Sequence, residues 1–508
     1  MKRFFSLLLS LLSVLLLLPA CNMSDPLENE TDYMDTELIE EEQETVISSF
    51  SLPVYRGATL DPILCSDGVQ LTLSRLLYEG LFTLSPTYEV ENRLCREYSY
   101  SKEQYCYTYT LRDDVCFGDG SELTAKDVVA SLRRAEVSER YKARFRNVKS
   151  FFAKGTDTVV VYLNCDNAAF NALMDIPIVK SGTETQTVPL GTGPYLYITE
   201  GEEEYLLANE SWWGGECSID KIFLVQVKDE NAANYRFYGG DVQLLATELT
   251  KKNPVSTAGQ VSITDAPGTT LQYFGFRESG LFGNSKLRQA VSLGLRRSEM
   301  TAGYLSGHAM AAVFPLSPAS VLYPDELASE FLSGSFASAM EALGYSVTSE
   351  IQHTVRLIVP EDNEYKVNIA NMLAALLQPY GIQVNTEALP WDSYLQALQN
   401  GNYDIYYATA RLTADWNLQP LIGSFGSLNY GYYSSAEMDA LLSAYLASPS
   451  ASSMKALCRL FAEEMPIVPL FFQSVSVLTQ EQVVLSSITP SASDPFYGMN
   501  AWELHLSE

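Results

Sequence analysis

A chain of 508 residues has room for about three domains at ~150 residues each and can bury a substantial core. With 33 Lys and Arg against 62 Asp and Glu, a formal charge of −29 argues against nucleic acid, whose phosphates need a basic surface. The acidity either favours cationic ligands or only keeps an exported chain in solution.

Lys2 and Arg3 precede an apolar run from Phe4 to Leu18, too short for the ~20 residues of a membrane-spanning helix, so it reads as a secretory signal. Leu18-Pro19-Ala20-Cys21 closes the run and resembles a bacterial lipobox, in which Cys21 becomes the lipidated N-terminus. Residues 22–45 are polar and acidic, with Glu40, Glu41, Glu42 and Glu44 clustered, and read as a disordered tether.

Between Leu77 and Arg134 the chain holds the end of one helix, two strands, a turn and a capped helix. Tyr105, Tyr107, Tyr109 and Leu111 alternate with Cys106, Thr108 and Thr110, the period of a half-buried strand. Gly118-Asp119-Gly120 turns the chain. Thr124 caps a helix with Asp127 in its first turn, and Val128, Val129, Leu132 and Ala135 give that helix an apolar face. A strand follows at 157–163 and a short helix at 168–173. Gly191-Thr192-Gly193-Pro194 bends the chain, and without a following Gly-Lys-Ser/Thr it does not make a phosphate loop.

Further strands are expected at 205–209, 220–227 and 270–276, with a helix at 231–238 between the last two. The 270–276 strand has both faces occupied and is expected to cross between lobes. Asn284 or Ser285 caps a helix carrying Leu287, Val291 and Leu295. The series 355–360, 364–378, 382–385, a helix opening at Trp391 and closing at Asn400-Gly401-Asn402, and 403–407 alternates strand and helix, which implies a sheet with helical crossovers. Residues 434–446 and 453–464 read as helices, and Pro466 to Phe471 returns the chain.

Leu60-Asp61-Pro62, Leu77-Tyr78-Glu79-Gly80-Leu81, Tyr107 to Arg112, Phe117-Gly118-Asp119-Gly120 and Leu123 to Val128 occur in an order that resembles the oligopeptide- and dipeptide-binding proteins of peptide and nickel ABC importers. Gly191 to Tyr195, Ser211-Trp212-Trp213-Gly214 and Arg288-Gln289-Ala290 extend the resemblance over most of the chain, whereas Arg296-Arg297-Ser298-Glu299 replaces the family's usual Asp-Arg or Asp-Lys pair. The resemblance implies an α/β, two-lobed periplasmic-binding-protein-like fold (class II) with an extra inserted subdomain in the first lobe. The expected parts are a signal and lipobox at 1–21, the tether at 22–45, a first lobe from 46–81, 183–262 and 473–508, the insert at 82–182 and a second lobe at 263–472.

Asp415, in Ala410-Arg411-Leu412-Thr413-Ala414-Asp415-Trp416-Asn417, follows a Tyr- and Ala-rich strand, the place where open α/β folds hold ligands. In the resembled family an aspartate in this context receives the α-ammonium group of a peptide. Arg411 is then expected to pair with Asp415 or with a ligand carboxylate, and Trp416 and Tyr430 to form pocket walls.

Catalysis finds little support, because His308, His353 and His505 are the only histidines and none lies near a nucleophile motif. No Cys-x-x-C or Cys/His ligand spacing occurs, so neither a metal nor another cofactor is expected. Apart from Cys21, seven of the 8 cysteines remain, an odd number; one disulfide among Cys95, Cys106 and Cys116 stays open, but most are expected to be thiols packed in cores.

The expected function is the substrate-binding component of an ABC importer. It would be a lipid-anchored monomer on the extracytoplasmic face of the cell membrane, capturing short peptides and delivering them to permease subunits with separate ATPases. A nickel chelate or an oligosaccharide on the same fold, or a surface sensor without transport, are the alternatives.

Overall fold

The structure is a computed structural model that describes residues 50–250 and 261–505. The signal, Cys21 and the tether lie outside the described residues.

The chain begins with β1 (Phe50–Tyr55) and α1 (Gly68–Leu77), whose first turn is capped by the Asp67 carboxylate accepting from the Gln70 amide at 2.8 Å. A small hairpin, β2 (Phe82–Leu84) and β3 (Val90–Asn92), leads into β4 (Cys95–Ser101) and β5 (Cys106–Leu111). Tyr107, Tyr109 and Leu111 are buried, as their alternation requires. Tyr105 departs from the expected pattern: with φ at 50° it belongs to the turn that precedes β5.

Helix α2 (Ala125–Val137) starts at Thr124, whose amide donates to Asp127 at 3.0 Å, and it buries Val128, Leu132 and Ala135. β6 (Val148–Lys154) and β7 (Thr158–Leu163) complete a four-stranded sheet in the order β4-β5-β7-β6, against which α2 packs. The core of this part is drawn from Leu81, Tyr109, Leu132, Val159, Phe170 and their neighbours between residues 63 and 178, which makes it a distinct inserted unit.

A second four-stranded sheet takes β1, β8 (Tyr195–Glu200), β9 (Glu203–Ala208) and β10 (Lys221–Val227) in the order β1-β10-β9-β8. Gly191 and Gly193 lie flat on the end of α1. A Cβ at either would come within 2.0 Å or 2.5 Å of Leu77 backbone atoms, so close approach, not anion binding, explains the glycine pair.

After α3 (Glu230–Tyr238), β11 (Leu244–Thr247) and the strand β12 (Val261–Phe276) open the third sheet. Helices α4 (Ser285–Gly294), α5 (Arg297–Leu305), α6 (Asp325–Leu332) and α7 (Phe336–Ala342) follow, with β13 (Ala309–Ala311) among them. The run β14 (Thr348–Pro360), α8 (Glu364–Leu377), β15 (Tyr380–Leu389), α9 (Trp391–Gln399) and β16 (Ile405–Arg411) is the expected alternation. Its strands pair in parallel, β14 standing between β15 and β16. The chain then runs through α10 (Gln419–Ile422), α11 (Ala436–Ala447) and α12 (Ala451–Glu464) into β17 (Ile467–Gln480), and the third sheet takes the order β11-β17-β12-β16-β14-β15.

β12 and β17 are antiparallel neighbours that pass from one lobe to the other. Their outer halves, with Val261, Ile263 and Leu478, pack with Phe237 and Leu245, while Leu271, Phe274, Val468 and Phe472 belong to the large core of the second lobe. The ladder slips between Ala266 and Thr270, a bulge at Pro267-Gly268-Thr269 where the two lobes join.

Candidate functional site

The two lobes, the insert and the crossing strands meet around a cavity of about 410 Å³. Its wall takes Arg75 from the last turn of α1, Arg140, Tyr141 and Arg144 from the segment after α2, Thr269 from the bulge, and Arg411 to Ala414 from the end of β16. A cleft of this size at a lobe junction, with polar groups converging from several elements, is where a small ligand fits.

Asp415 stands behind this wall, and it is buried, at 2 % exposure. Its carboxylate accepts from Thr413 Oγ1 at 2.5 Å, from the Asn417 amide at 3.3 Å and, across the lobe junction, from Asn167 Nδ2 at 2.9 Å. Burial raises its pKa above the usual aspartate range, against the three hydrogen bonds that pull it down. The β5 strand explains how Asn167 is placed. Tyr107 Oη donates to the Asn167 carbonyl at 2.9 Å and Tyr109 Oη to Asn171 Oδ1 at 2.9 Å, so the buried tyrosine row holds the 167–171 loop against the second lobe. The Ala168 amide adds a bond to the Leu446 carbonyl at 2.7 Å.

Trp416 has φ at 51° and is buried, its ring edge-on to Tyr88 at 4.9 Å and to Phe472 at 6.3 Å. It therefore packs the junction from within. Tyr88 in turn donates to the Pro267 carbonyl of the bulge at 3.0 Å. Tyr430 is not brought to this cavity. It packs edge-on against Tyr406 at 6.1 Å, beside the Ile405 end of β16, whereas Arg411 ends the same strand six residues on, about 20 Å away at ~3.3 Å per residue.

Arg411 is exposed to the cavity, and its guanidinium makes no hydrogen bond or ion pair among the described residues; it does not pair with Asp415. Arg144 is tied to Asp175 by an ion pair and donates to the Leu173 carbonyl at 3.0 Å. Burial pulls its guanidinium down, but the Asp175 charge prevails and holds it above the usual range. The cleft of this acidic chain is thus lined with cations, which favours, of the two readings of its net charge, the one in which the acidity serves solubility. Arg75, Arg140, Arg144 and Asn167 carry no motif. The one signal was the basic run Arg133, Arg134, Arg140, Lys142, Arg144 and Arg146 in an otherwise acidic sequence.

His308 Nδ1 lies 3.1 Å from Asp265, and Ser476 Oγ donates to that same carboxylate at 2.6 Å. The hydroxyl is held by the carboxylate and not by the imidazole, so the trio lacks the order of a nucleophilic triad. No group of three or more metal-ligating side chains occurs among the described residues. All seven described cysteines are free thiols, Cys65, Cys95, Cys106 and Cys458 being buried. No described helix is long and apolar enough to cross a membrane.

The sequence matches the bacterial extracellular solute-binding proteins, family 5 Middle, over residues 89–429. It is 22 % identical over 419 residues to the oligopeptide-binding protein AppA of Bacillus subtilis, covering 74 % of this chain and 76 % of that protein. It is 23 % identical over 487 residues to Heme-binding protein A of Haemophilus influenzae, covering 85 % and 87 %. Among solved structures, the ABC transporter substrate-binding protein CtaP of Listeria monocytogenes superposes with a TM-score of 0.68 at 21 % identity, over 90 % of this chain and 99 % of its own. A match through two thirds of the sequence, on a two-lobed fold with a cleft at the junction, places the chain in the bacterial extracellular solute-binding proteins of family 5.

Proposed function

We propose that this chain captures short peptides in the cleft between its lobes and delivers them to the permease of an ABC importer whose ATPases are separate subunits. The observation that carries the reading is the cavity bounded at once by α1, the 140–144 segment, the bulge and the end of β16, since a ligand there touches every part that would move. The moving parts are the first lobe, which carries the insert at 82–182, and the second lobe at 263–472, closing on each other about the crossing of β12 and β17. The relatives' names divide among oligopeptide, heme and glutathione, so peptide is chosen on the Asp415 context and not on fold. The protein acts by binding alone.

In this reading Asp415 receives the peptide's α-ammonium group and Asn167 is the neutral donor that occupies the carboxylate otherwise. Arg411 meets a ligand carboxylate, Trp416 stiffens the wall from behind and Tyr430 shapes the far end of the second lobe. A hydrogen bond to a charged group is worth about 1.5–3 kcal/mol, so Asp415→Asn should weaken a free peptide by about ten- to hundredfold. The same peptide with an acetylated N-terminus should be nearly indifferent to the substitution. Calorimetry of both peptides on both proteins forms a double-mutant cycle, and simple additivity of the two losses would return Asp415 to a purely structural turn. Solution scattering on the same samples should show a smaller radius of gyration with the free peptide bound.

A further inference from the structure

Around the cavity, Arg75, Arg140, Arg144 and Arg411 face the carboxylates of Glu139 and Asp175. Both acids are already engaged, Asp175 by Arg144 and Glu139 by Lys142. The guanidinium groups of Arg75, Arg140 and Arg411 make no hydrogen bond or ion pair among the described residues, and they come from three separate parts of the fold: α1, the segment after α2, and the end of β16. Asp494 lies in the cavity on the other side of Arg75.

Three guanidinium groups without a direct ion pair converge in one cleft; Asp494 and Asp175 act on Arg75 and Arg411 only from a distance, and an anion placed among the three would relieve their mutual repulsion. Burial first, and then the neighbouring arginines, pull Arg140 and Arg411 below the usual guanidinium range, although both stay cationic at neutral pH. The planar forks of arginine suit carboxylates in paired contacts. Thr413 and Ser493 add hydroxyls to the same wall. In a chain with a formal charge of −29, a local concentration of positive charge inside the one junction also guides anions inward past an acidic surface.

We infer that the cleft selects solutes carrying several carboxylates within a short span, and acidic peptides above neutral or basic ones, through Arg75, Arg140 and Arg411. The inference rests on the reading of the junction as the solute site. It adds to that reading a charge preference that a single ammonium–carboxylate contact does not supply.

The test is calorimetry on the full chain at low ionic strength with four probes: Glu-Glu-Glu, Ala-Ala-Ala, Lys-Lys-Lys and propane-1,2,3-tricarboxylate. Glu-Glu-Glu is expected to bind at least tenfold tighter than Ala-Ala-Ala, with Lys-Lys-Lys undetected and the preference shrinking as salt is added. The double variant Arg140→Gln/Arg411→Gln should bring the ratio of the first two affinities toward one. The Arg140→Lys/Arg411→Lys pair should keep most of it, with unchanged melting temperatures as the check of folding. Ala-Ala-Ala binding as tightly as Glu-Glu-Glu would overturn the charge preference and leave the peptide reading standing. Arginine-dependent binding of the tricarboxylate with no tripeptide bound would uphold the anionic site and overturn the peptide reading. A Glu-Glu-Glu preference that survives the glutamine variant would overturn the assignment to these arginines, and no binding by any probe would overturn both.

Discussion

Glu79 brings a carboxylate to the packed base of the insert, where one oxygen accepts from Trp213 Nε1 at 2.9 Å and from Thr192 Oγ1 at 3.2 Å while the other has no hydrogen bond. Burial raises its pKa above the ordinary 4.5, against the Trp213 bond and the Arg93 charge, which lower it. Because the folded state holds this proton more tightly than the unfolded chain, stability falls as pH rises from about 4.5 through the raised value. Glu79→Gln keeps an acceptor for Trp213 and Thr192 and removes the charge. Its melting temperature should therefore exceed that of the parent increasingly as pH rises through this window, and the two should converge below it. Scanning both proteins between mildly acidic and neutral pH checks the sign. At this scale the sequence was legible where a side chain acts on its own backbone neighbours: Asn284 does accept from the Lys286 amide at 3.0 Å, and Thr124 does begin α2. It was opaque where function depends on distant residues meeting. Nothing local in Asn167 says that it will donate to Asp415, 248 positions away, or in Arg140 that it will face Arg411.

Among the elements, β12 shows how a correct local reading gave an incomplete strand. Only residues 270–276 read as a strand, and the Pro267-Gly268 pair stands just before them. The pair is a bulge inside a strand that runs from Val261 to Phe276. Gly268 is needed there because a Cβ would stand 2.0 Å from the Gln473 carbonyl oxygen on β17. Gly268→Ala must push the two crossing strands apart and should cost about 3 kcal/mol, the upper range for overpacking, measured by denaturant unfolding. Loss of less than about 0.5 kcal/mol, the range of an innocuous surface change, would show that the bulge relaxes freely. Helix α5 escaped notice for a different reason. Its inner face includes Arg297, which breaks the apolar pattern, yet that guanidinium is buried and donates to the carbonyls of Pro469 at 2.9 Å and Ser292 at 2.8 Å. Burial pulls its pKa down to about 10. An arginine that serves carbonyl groups in a core looks, in sequence, like one that faces water.

For the whole molecule, the ordered series of motifs was enough to read the fold class, because each motif marks a turn or a cap that the architecture needs at that point. We propose that the residues before 50 attach the chain to the membrane through lipidation of Cys21 after Leu18-Pro19-Ala20, which would hold the solute site close to the permease. Cys21→Ser should release the protein from the membrane fraction or leave it unprocessed. Recovery of the unaltered protein wholly from the medium, with no label from a fatty-acid precursor, would refute the anchor. The separate cores carry a consequence for the order in which the chain is made. The core of the insert draws on residues between 63 and 178, and that of the second lobe almost wholly on residues between 271 and 472, so each can form once its own segment has emerged. The first lobe differs, since Phe50 and Leu52 pack with Val477, Val483, Phe496 and Trp502 from the opposite end of the chain. Its core stays open until translation is nearly finished. The last core to close is therefore the one that unites both ends, so the cleft that leans on it is complete only after the whole chain has been made.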